Sequence, residues 1–155
     1  MIYARWIPNN TGLADGVYAI RSKYSNRYIE SGAPTLIQGY NYGIFNYQKW
    51  RIKNEGNGYS ITPFTTANNS NLRVDVWYMS SWYGTEIKLY DNNGSAAQRF
   101  HFPTTSGGAR RIAPVYDSNV NFDVKGPSMN PDTPIQIWTW ANCSQQEWIF
   151  EYLGP

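Results

Sequence analysis

The sequence has little of what most enzymes and anion-binding proteins need. Among its 155 residues there are one cysteine, Cys143, and one histidine, His101. The chain therefore has too few of these residues for an internal disulfide, a nucleophile paired with a histidine or a cysteine-based metal cluster. We expect no metal, no cofactor and no enzymatic activity. The charge is nearly balanced, with 13 Lys and Arg against 11 Asp and Glu, which predicts no nucleic-acid partner.

Long apolar segments are also absent. No stretch approaches the roughly 20 apolar residues of a membrane span. The N-terminal segment lacks the basic start and continuous apolar run of a signal peptide. We expect a soluble chain without membrane insertion, cytoplasmic or non-classically secreted, unless it was excised from a larger precursor.

Aromatic residues are what the chain has in excess. Seven Trp, 13 Tyr and 6 Phe make up 17% of the sequence, more than the 15% of charged residues. Thirteen Gly and 9 Pro favour many turns over long helices. The composition predicts an all-β protein that has a use for flat, partly polar rings.

A repeat of about 48 residues runs through the chain. The motif Thr-x-Ile-x-x-aromatic occurs three times, beginning at Thr35, Thr85 and Thr133. A Gln lies eight residues after each of these aromatic residues and opens a Gln-x-aromatic motif, at Gln48, Gln98 and Gln146. Six matched motifs in one register indicate three copies of one structural unit.

Each unit is predicted to contain about four strands. Short alternating segments begin and end each unit, and turn-rich connectors separate them. We expect about 12 strands and no helix in a single domain, residues 1–155, with repeats at about 16–53, 58–103 and 108–152. Three such units bury their faces best by closing around a shared pseudo-three-fold axis.

These motifs resemble the ricin-B-type β-trefoil lectins, whose repeat contains Asp-Val, Thr-x-Val-x-Leu-Trp and Gln-x-Trp. The resemblance covers nearly the whole chain, from Gly16 to Phe150. It is closest to the cysteine-poor members from fungi and bacterial toxin complexes, because one cysteine cannot form the disulfide that many members carry in each repeat. The resemblance implies a β-trefoil and a non-catalytic lectin for galactose or N-acetylgalactosamine-type glycans.

The aromatic residues of the Gln-x-aromatic motifs, Trp50, Phe100 and Trp148, are predicted to form the shared core. Inward-facing rings that recur once per repeat are what such a core requires. The Gln side chains are expected to bond to backbone in the turn before the last strand. An amide can also present one group outward.

The third repeat is the richest candidate for a sugar site. A sugar needs a flat ring for its C–H face, a fixed acceptor for its hydroxyls, and amides that bond either way. The resemblance assigns Asp123 to two sugar hydroxyls and Trp138 to the stacking platform. The remaining candidates of this repeat are Gln136, Trp140, Asn142, Gln145 and Gln146. In the alternative reading, Asp123 caps a turn and Trp138 packs against neighbouring loops.

The second repeat keeps the carboxylate and the ring. Asp75 lies one repeat length before Asp123, and Tyr90 takes the platform position, so a weaker or differently selective site is expected there. The other candidates of this repeat are Lys88, Asn93 and Gln98. Four rings occur within residues 77–83, and this segment is expected either to cover the site or to contact a partner.

The first repeat departs most from the pattern. Glu30 is expected at the carboxylate position and Tyr40 at the platform position. The loop between Glu30 and Thr35 is shortened, so we expect this copy not to bind.

Other functions remain open at this level, because the fold alone does not decide function. A β-trefoil protease inhibitor or other protein-interaction module would bind through one loop, such as that around Trp82. The chain could also be the glycan-targeting domain of a larger toxin or glycosidase. Asp75 and Asp123 themselves belong to different repeats and are expected to lie too far apart for a glycosidase pair. As a lectin, the chain should bind monosaccharides weakly, and clustered glycans of glycoproteins or glycolipids more strongly, through two sites or a homodimer.

Overall fold

The computed structural model describes residues 12–32, 35–41, 43–64 and 71–155, and these residues form twelve strands and no α-helix. Each repeat supplies four strands, as predicted. The strands are β1 (Gly16–Ser22), β2 (Ile29–Ser31), β3 (Leu36–Gln38), β4 (Lys49–Asn54), β5 (Tyr59–Pro63), β6 (Leu72–Val76), β7 (Ile87–Asp91), β8 (Phe100–His101), β9 (Ala113–Pro114), β10 (Val120–Val124), β11 (Thr133–Thr139) and β12 (Trp148–Gly154). Short 3-10 helices at Asn46–Gln48, Trp77–Met79, Ala96–Gln98 and Ser144–Gln146 connect some of them.

The first and last strands of each repeat form a barrel. They pair in the order β12, β1, β4, β5, β8, β9. Arg110 and Trp148 then join the two ends by reciprocal backbone hydrogen bonds of 2.9 and 2.8 Å. Closing the barrel in this way leaves no open edge, which explains why short strands suffice.

The two middle strands of each repeat form a hairpin, and the three hairpins link in a ring. Isolated bridges join Thr35 to Lys88 and Glu86 to Gln136. The third link is the pairing of Thr133 with Gln38. Six barrel strands and three linked hairpins in pseudo-three-fold arrangement make a β-trefoil, which confirms the predicted fold.

The core is built from the residues that recur in each repeat. Trp50, Phe100 and Trp148 are at most 1% exposed and belong to one buried cluster. The indole N–H of Trp50 donates to the carbonyl of Ile29 at 3.1 Å, so the polar edge of this ring is satisfied within the core. The prediction for these three positions is confirmed. His101 is exposed on its strand.

One predicted equivalence in the first repeat is wrong by one residue. The sequence motif aligns Ile37 with the Ile of the other repeats, but the buried residue at this place is Leu36. Glu30 pairs with Ile37, whereas the carboxylates of the later repeats pair with Lys88 and Gln136. The connection from Glu30 to Leu36 is half as long as that from Asp75 to Ile87, and this shorter connection shifts the register.

No helix among the described residues is long and apolar enough to cross a membrane. The first eleven residues, on which the expectation about a signal peptide depends, lie outside the described part of the chain.

Candidate functional site

A cavity of about 390 Å³ lies beside the β10–β11 hairpin. Asp123 on β10 and Gln136 on β11 are cross-strand partners, and both line the cavity. Trp138 follows two residues later on the same face of β11, because side chains alternate along a strand. The remaining lining residues are Lys125, Gly126, Pro127, Ala141, Cys143, Gln145 and Gln146.

The Asp123 carboxylate is fixed by two amides. Its Oδ1 accepts a hydrogen bond from Gln136 Nε2 at 3.1 Å, and its Oδ2 accepts one from Gln146 Nε2 at 2.9 Å. Burial raises the pKa of Asp123 above its ordinary value, although these two bonds oppose the shift. Both oxygens keep acceptor capacity, because an ionised carboxylate offers about four lone-pair sites. The group is therefore a preorganised acceptor at the edge of the cavity.

Trp138 provides the flat surface of this cavity. Its side chain is 39% exposed. The ring of Tyr83, from the second repeat, packs against it with centroids 5.0 Å apart and planes inclined by 33°. Tyr83 does not border the cavity, so it braces the indole and leaves the cavity side open.

The second repeat has an equivalent cavity of about 450 Å³. Every residue that lines it lies one repeat length before a residue that lines the third-repeat cavity, from Asp75 and Asp123 to Ala97 and Gln145. The full lining is Asp75, Trp77, Tyr78, Met79, Tyr90, Asn93, Ser95 and Ala97. The same positions of the trefoil unit thus form a pocket twice, each time around a carboxylate and an aromatic ring.

The Asp75 carboxylate is held in the same way but with one amide fewer. Its Oδ2 accepts from Gln98 Nε2 at 2.8 Å, and burial again raises its pKa. Lys88 is its cross-strand partner. The ammonium group of Lys88 instead lies 3.9 Å from the centroid of the Trp77 ring and 3.5 Å from Glu86. Lys88, a candidate site residue from the sequence, supports the aromatic wall and does not line the pocket.

Gln98 and Gln146 bond to backbone in the turn before the last strand, as predicted. Both are fully buried. Gln146 Nε2 donates to Asp123 and to the carbonyl of Thr139, while its Oε1 accepts the backbone N–H of Ala141. Both amide hydrogens are therefore engaged within the protein. These glutamines brace the loop and position the carboxylate.

Two of the predicted third-repeat residues lie outside the pocket. Asn142 does not line it, and the lining residue equivalent to Asn93 is Ala141. Trp140 is also absent from the lining and stacks on the guanidinium group of Arg111 at 4.8 Å. Of the other candidate residues, Gln136, Gln145 and Gln146 line the third-repeat cavity and Asn93 lines the second-repeat cavity.

One wall of the third-repeat pocket is not predicted from the sequence, whereas its equivalent in the second repeat belongs to the segment 77–83 that is expected to cover the site or to contact a partner. This wall is the segment after the carboxylate strand, which contributes Lys125, Gly126 and Pro127 in the third repeat and Trp77, Tyr78 and Met79 in the second. The constant offset between the repeats is the signal that could find the second wall from the first. Cys143 is also missed, since the sequence alone suggests only disulfides and metals as roles for a thiol.

The first repeat has the same glutamine brace, but its acidic side chain lies against the platform position. Gln48 Nε2 donates to Glu30 Oε2 and to the carbonyl of Tyr40, both at 3.0 Å. In the other repeats the equivalent carbonyl belongs to the residue after the ring, so the platform position here is Gly39 and not Tyr40. A Cβ on Gly39 would overlap the Glu30 carboxylate. The longer acidic side chain thus fills the space in which the other repeats hold a ring.

Among the residues that the structure describes, no three His, Cys, Asp or Glu side chains group closely enough to hold a metal ion.

The sequence matches one protein family over residues 46–138, the family described as ricin-type beta-trefoil lectin domain-like. The chain belongs to this family. A search of curated proteins finds no match.

Solved structures of other β-trefoil proteins superpose on the chain at low identity. ThreeFoil, a designed three-fold symmetric protein, is 21% identical with a TM-score of 0.77, over 90% of this chain and 100% of that one. The ricin B-like lectin of Macrolepiota procera, solved with lactose, is 18% identical with a TM-score of 0.77, over 92% of this chain and 100% of that one. These similarities support the fold.

Two larger proteins contain a similar domain. A mosquitocidal holotoxin is 22% identical with a TM-score of 0.79, over 92% of this chain. The exo-beta-1,3-galactanase of Clostridium thermocellum is 22% identical with a TM-score of 0.76, over 98% of this chain. The chain spans only 18% of the holotoxin and 32% of the galactanase.

Proposed function

We propose that this trefoil is a non-catalytic lectin with two glycan pockets, one in the third repeat and one in the second. The observation that carries this proposal is the recurrence of the whole pocket at an offset of one repeat length, with a buried carboxylate and an exposed ring each time. A scaffold alone needs neither an acceptor carboxylate at a cavity nor a ring that remains exposed. Sugars need both.

Galactose-type glycans are the ligands that we propose. Galactose presents an apolar C–H face to a ring and adjacent hydroxyls to a carboxylate. The lectin of Macrolepiota procera, which is similar in fold, was solved with lactose, a galactose-terminated disaccharide. Asp123 and Trp138 would contact the sugar in one pocket, and Asp75 and Tyr90 in the other. The rim would supply polar contacts from Gln136, Gln145 and Asn93.

A glycan array tests this proposal. The wild-type chain should bind galactose-terminated glycans, and the double variant Asp75→Asn, Asp123→Asn should not. Absence of glycan binding by the wild type would refute the proposed function.

A second candidate is the glycan-targeting domain of a larger toxin or glycosidase. The similarity to part of the holotoxin and to part of the galactanase favours it. In that case sugar binding is retained, and the biological activity belongs to another domain.

Cys143 offers a readout specific to the third-repeat pocket. It is the only cysteine in the sequence, and it lines that pocket. Burial raises the pKa of its thiol above the ordinary value, so its reaction with alkylating reagents should be slow. We expect saturating lactose to slow the alkylation of Cys143 by N-ethylmaleimide several-fold further, measured by intact mass. An alkylation rate that does not change with lactose would contradict binding in this pocket.

Glycan binding should be lost on acidification at a pH above the ordinary aspartate range. Burial raises the pKa values of Asp75 and Asp123 in the folded chain, so both protonate earlier than exposed carboxyls and lose charge-assisted acceptance. A raised folded pKa also means that the ionised group opposes folding. The protonated form of each carboxyl therefore favours the folded chain at low pH, and this contribution to stability is lost as the pH rises through the folded pKa.

These two carboxyls therefore do not drive acid unfolding, and binding should fail while the trefoil is still folded. A glycan-binding titration from pH 7 downward, with circular dichroism on the same samples, checks this. Coincident loss of binding and of structure would contradict it.

A further inference from the structure

The segment from residue 77 to residue 83, here called the aromatic loop, is only partly used by the two pockets. Trp77, Tyr78 and Met79 line the second-repeat pocket, and Tyr83 braces Trp138. Trp82 does neither, although it is 83% exposed. Exposed indole is costly to hydrate, which makes a ring at this place informative.

The aromatic loop also has a strained backbone. Tyr78 and Met79 both adopt left-handed conformations, with φ of 55° and 52°. The position equivalent to Tyr78 in the third repeat is Gly126, a residue that takes positive φ without steric cost. Consecutive non-glycine residues in this region persist where the surroundings enforce them, commonly at functional sites. Tyr116 supplies part of that constraint by donating its hydroxyl to the carbonyl of Ser80 at 2.6 Å.

A further cavity of about 670 Å³ lies on the aromatic loop and adjoins the second-repeat pocket. The two cavities share the wall formed by Trp77, Tyr78 and Met79. Beyond that wall, the further cavity is lined by Ser80, Ser81, Trp82, Gly84, Thr85 and Glu86.

The lining of this cavity has the chemistry that recognises a sugar. Trp82 supplies a ring face, Ser81 a hydroxyl, and Glu86 a carboxylate whose side chain is 57% exposed. The backbone of Trp82 is fixed, because its carbonyl accepts hydrogen bonds from the hydroxyl and the N–H of Thr85 at 2.6 and 3.1 Å. The ring is therefore presented from an anchored turn.

We propose that Trp82 and Glu86 form a second sugar subsite, so that the second-repeat site binds an oligosaccharide of two or more residues. This inference rests on the proposed lectin function. One sugar would occupy the Asp75 pocket, and the next would lie against Trp82. The corresponding segment of the third repeat, residues 125–132, contains no aromatic residue, so the third-repeat pocket should bind the terminal sugar alone.

The test isolates the second-repeat site with the variant Asp123→Asn. Calorimetry on this background compares galactose with a galactose-terminated tetrasaccharide. We expect the tetrasaccharide to bind at least tenfold more tightly than galactose. Adding Trp82→Ala should remove most of that advantage and leave galactose affinity unchanged. Tyr152→Ala is the matched control, since this exposed ring on β12 lines neither cavity and its loss should leave both affinities unchanged.

Two results would overturn the subsite while the chain still binds glycans. One is an affinity ratio that Trp82→Ala leaves unchanged, as expected if the aromatic loop serves a protein partner instead. The other is an Asp123→Asn variant that binds no sugar while the wild type still does. Failure of the wild type to bind any glycan would instead refute the proposed function, and the subsite with it.

Discussion

Replacing Asp123 with asparagine should weaken glycan binding in the third-repeat pocket by about a hundredfold or more while the trefoil stays folded. Hydrogen bonds to a charged group contribute about 1.5 to 3 kcal/mol each, and every 1.4 kcal/mol is about tenfold in affinity. Asparagine keeps the shape of the side chain but turns one of the two acceptor oxygens into a donor. Two sugar hydroxyls and two glutamine amides then compete for a single acceptor.

The matched variants are Asp75→Asn and Glu30→Gln. Asp75→Asn should remove binding in the second-repeat pocket alone, and the double aspartate variant should lose all binding. Glu30→Gln should leave glycan affinity unchanged, because Glu30 fills its own pocket. Calorimetric titration with lactose measures each variant, and circular dichroism checks its fold. Retained wild-type affinity in the double variant would refute the assignment of the carboxylates.

Replacing Trp148 with alanine should have the largest effect on stability. The side chain is fully buried and belongs to the shared core, and its indole N–H donates to the carbonyl of Phe122 at 3.3 Å. Removing a buried tryptophan costs about 3 to 5 kcal/mol in the free energy of unfolding, from lost transfer energy and the cavity left behind. For a chain of this size that corresponds to a melting temperature roughly 10 °C lower.

Trp138→Ala is the matched comparison. Its ring is partly exposed at the cavity, so we expect a loss of less than about 1.5 kcal/mol in stability and a loss of lectin activity in the third-repeat pocket. Urea unfolding followed by circular dichroism measures both variants. If Trp138→Ala destabilised the chain as much as Trp148→Ala, the division of the aromatic residues into core and platform would be wrong.

The fold can be predicted because three copies of one motif restrict the number of possible folds. Matched positions such as Trp50 and Trp148 can all be buried only if the repeats share an axis, and short alternating segments specify the strands between them. The carboxylate and the ring of each pocket can be predicted from the sequence for the same reason. Asp75 and Asp123 occupy equivalent positions in two repeats. A position whose residue differs between repeats is one at which core packing does not dictate the residue type.

The details that escape prediction depend on register and on burial. A loop shortened in the first repeat shifts the chain by one residue, which puts Gly39 where the motif suggests Tyr40. The recurrence of a Gln at the position of Gln146 in every repeat shows only that the amide is needed there. It does not show that both of its hydrogens are used inside the protein. The sequence favours Asn142 as a sugar ligand because its amide can both donate and accept hydrogen bonds. In the structure, Ala141 and not Asn142 occupies the position equivalent to Asn93.

The number of lactose molecules bound per chain tests the central claim most directly. Calorimetry of the wild-type chain, at protein concentrations that define the stoichiometry, should give two sites, one for each of the equivalent pockets of the second and third repeats. A value of three would mean that the Glu30 pocket is open. A value of one or of zero would contradict the equivalence of the second-repeat and third-repeat pockets.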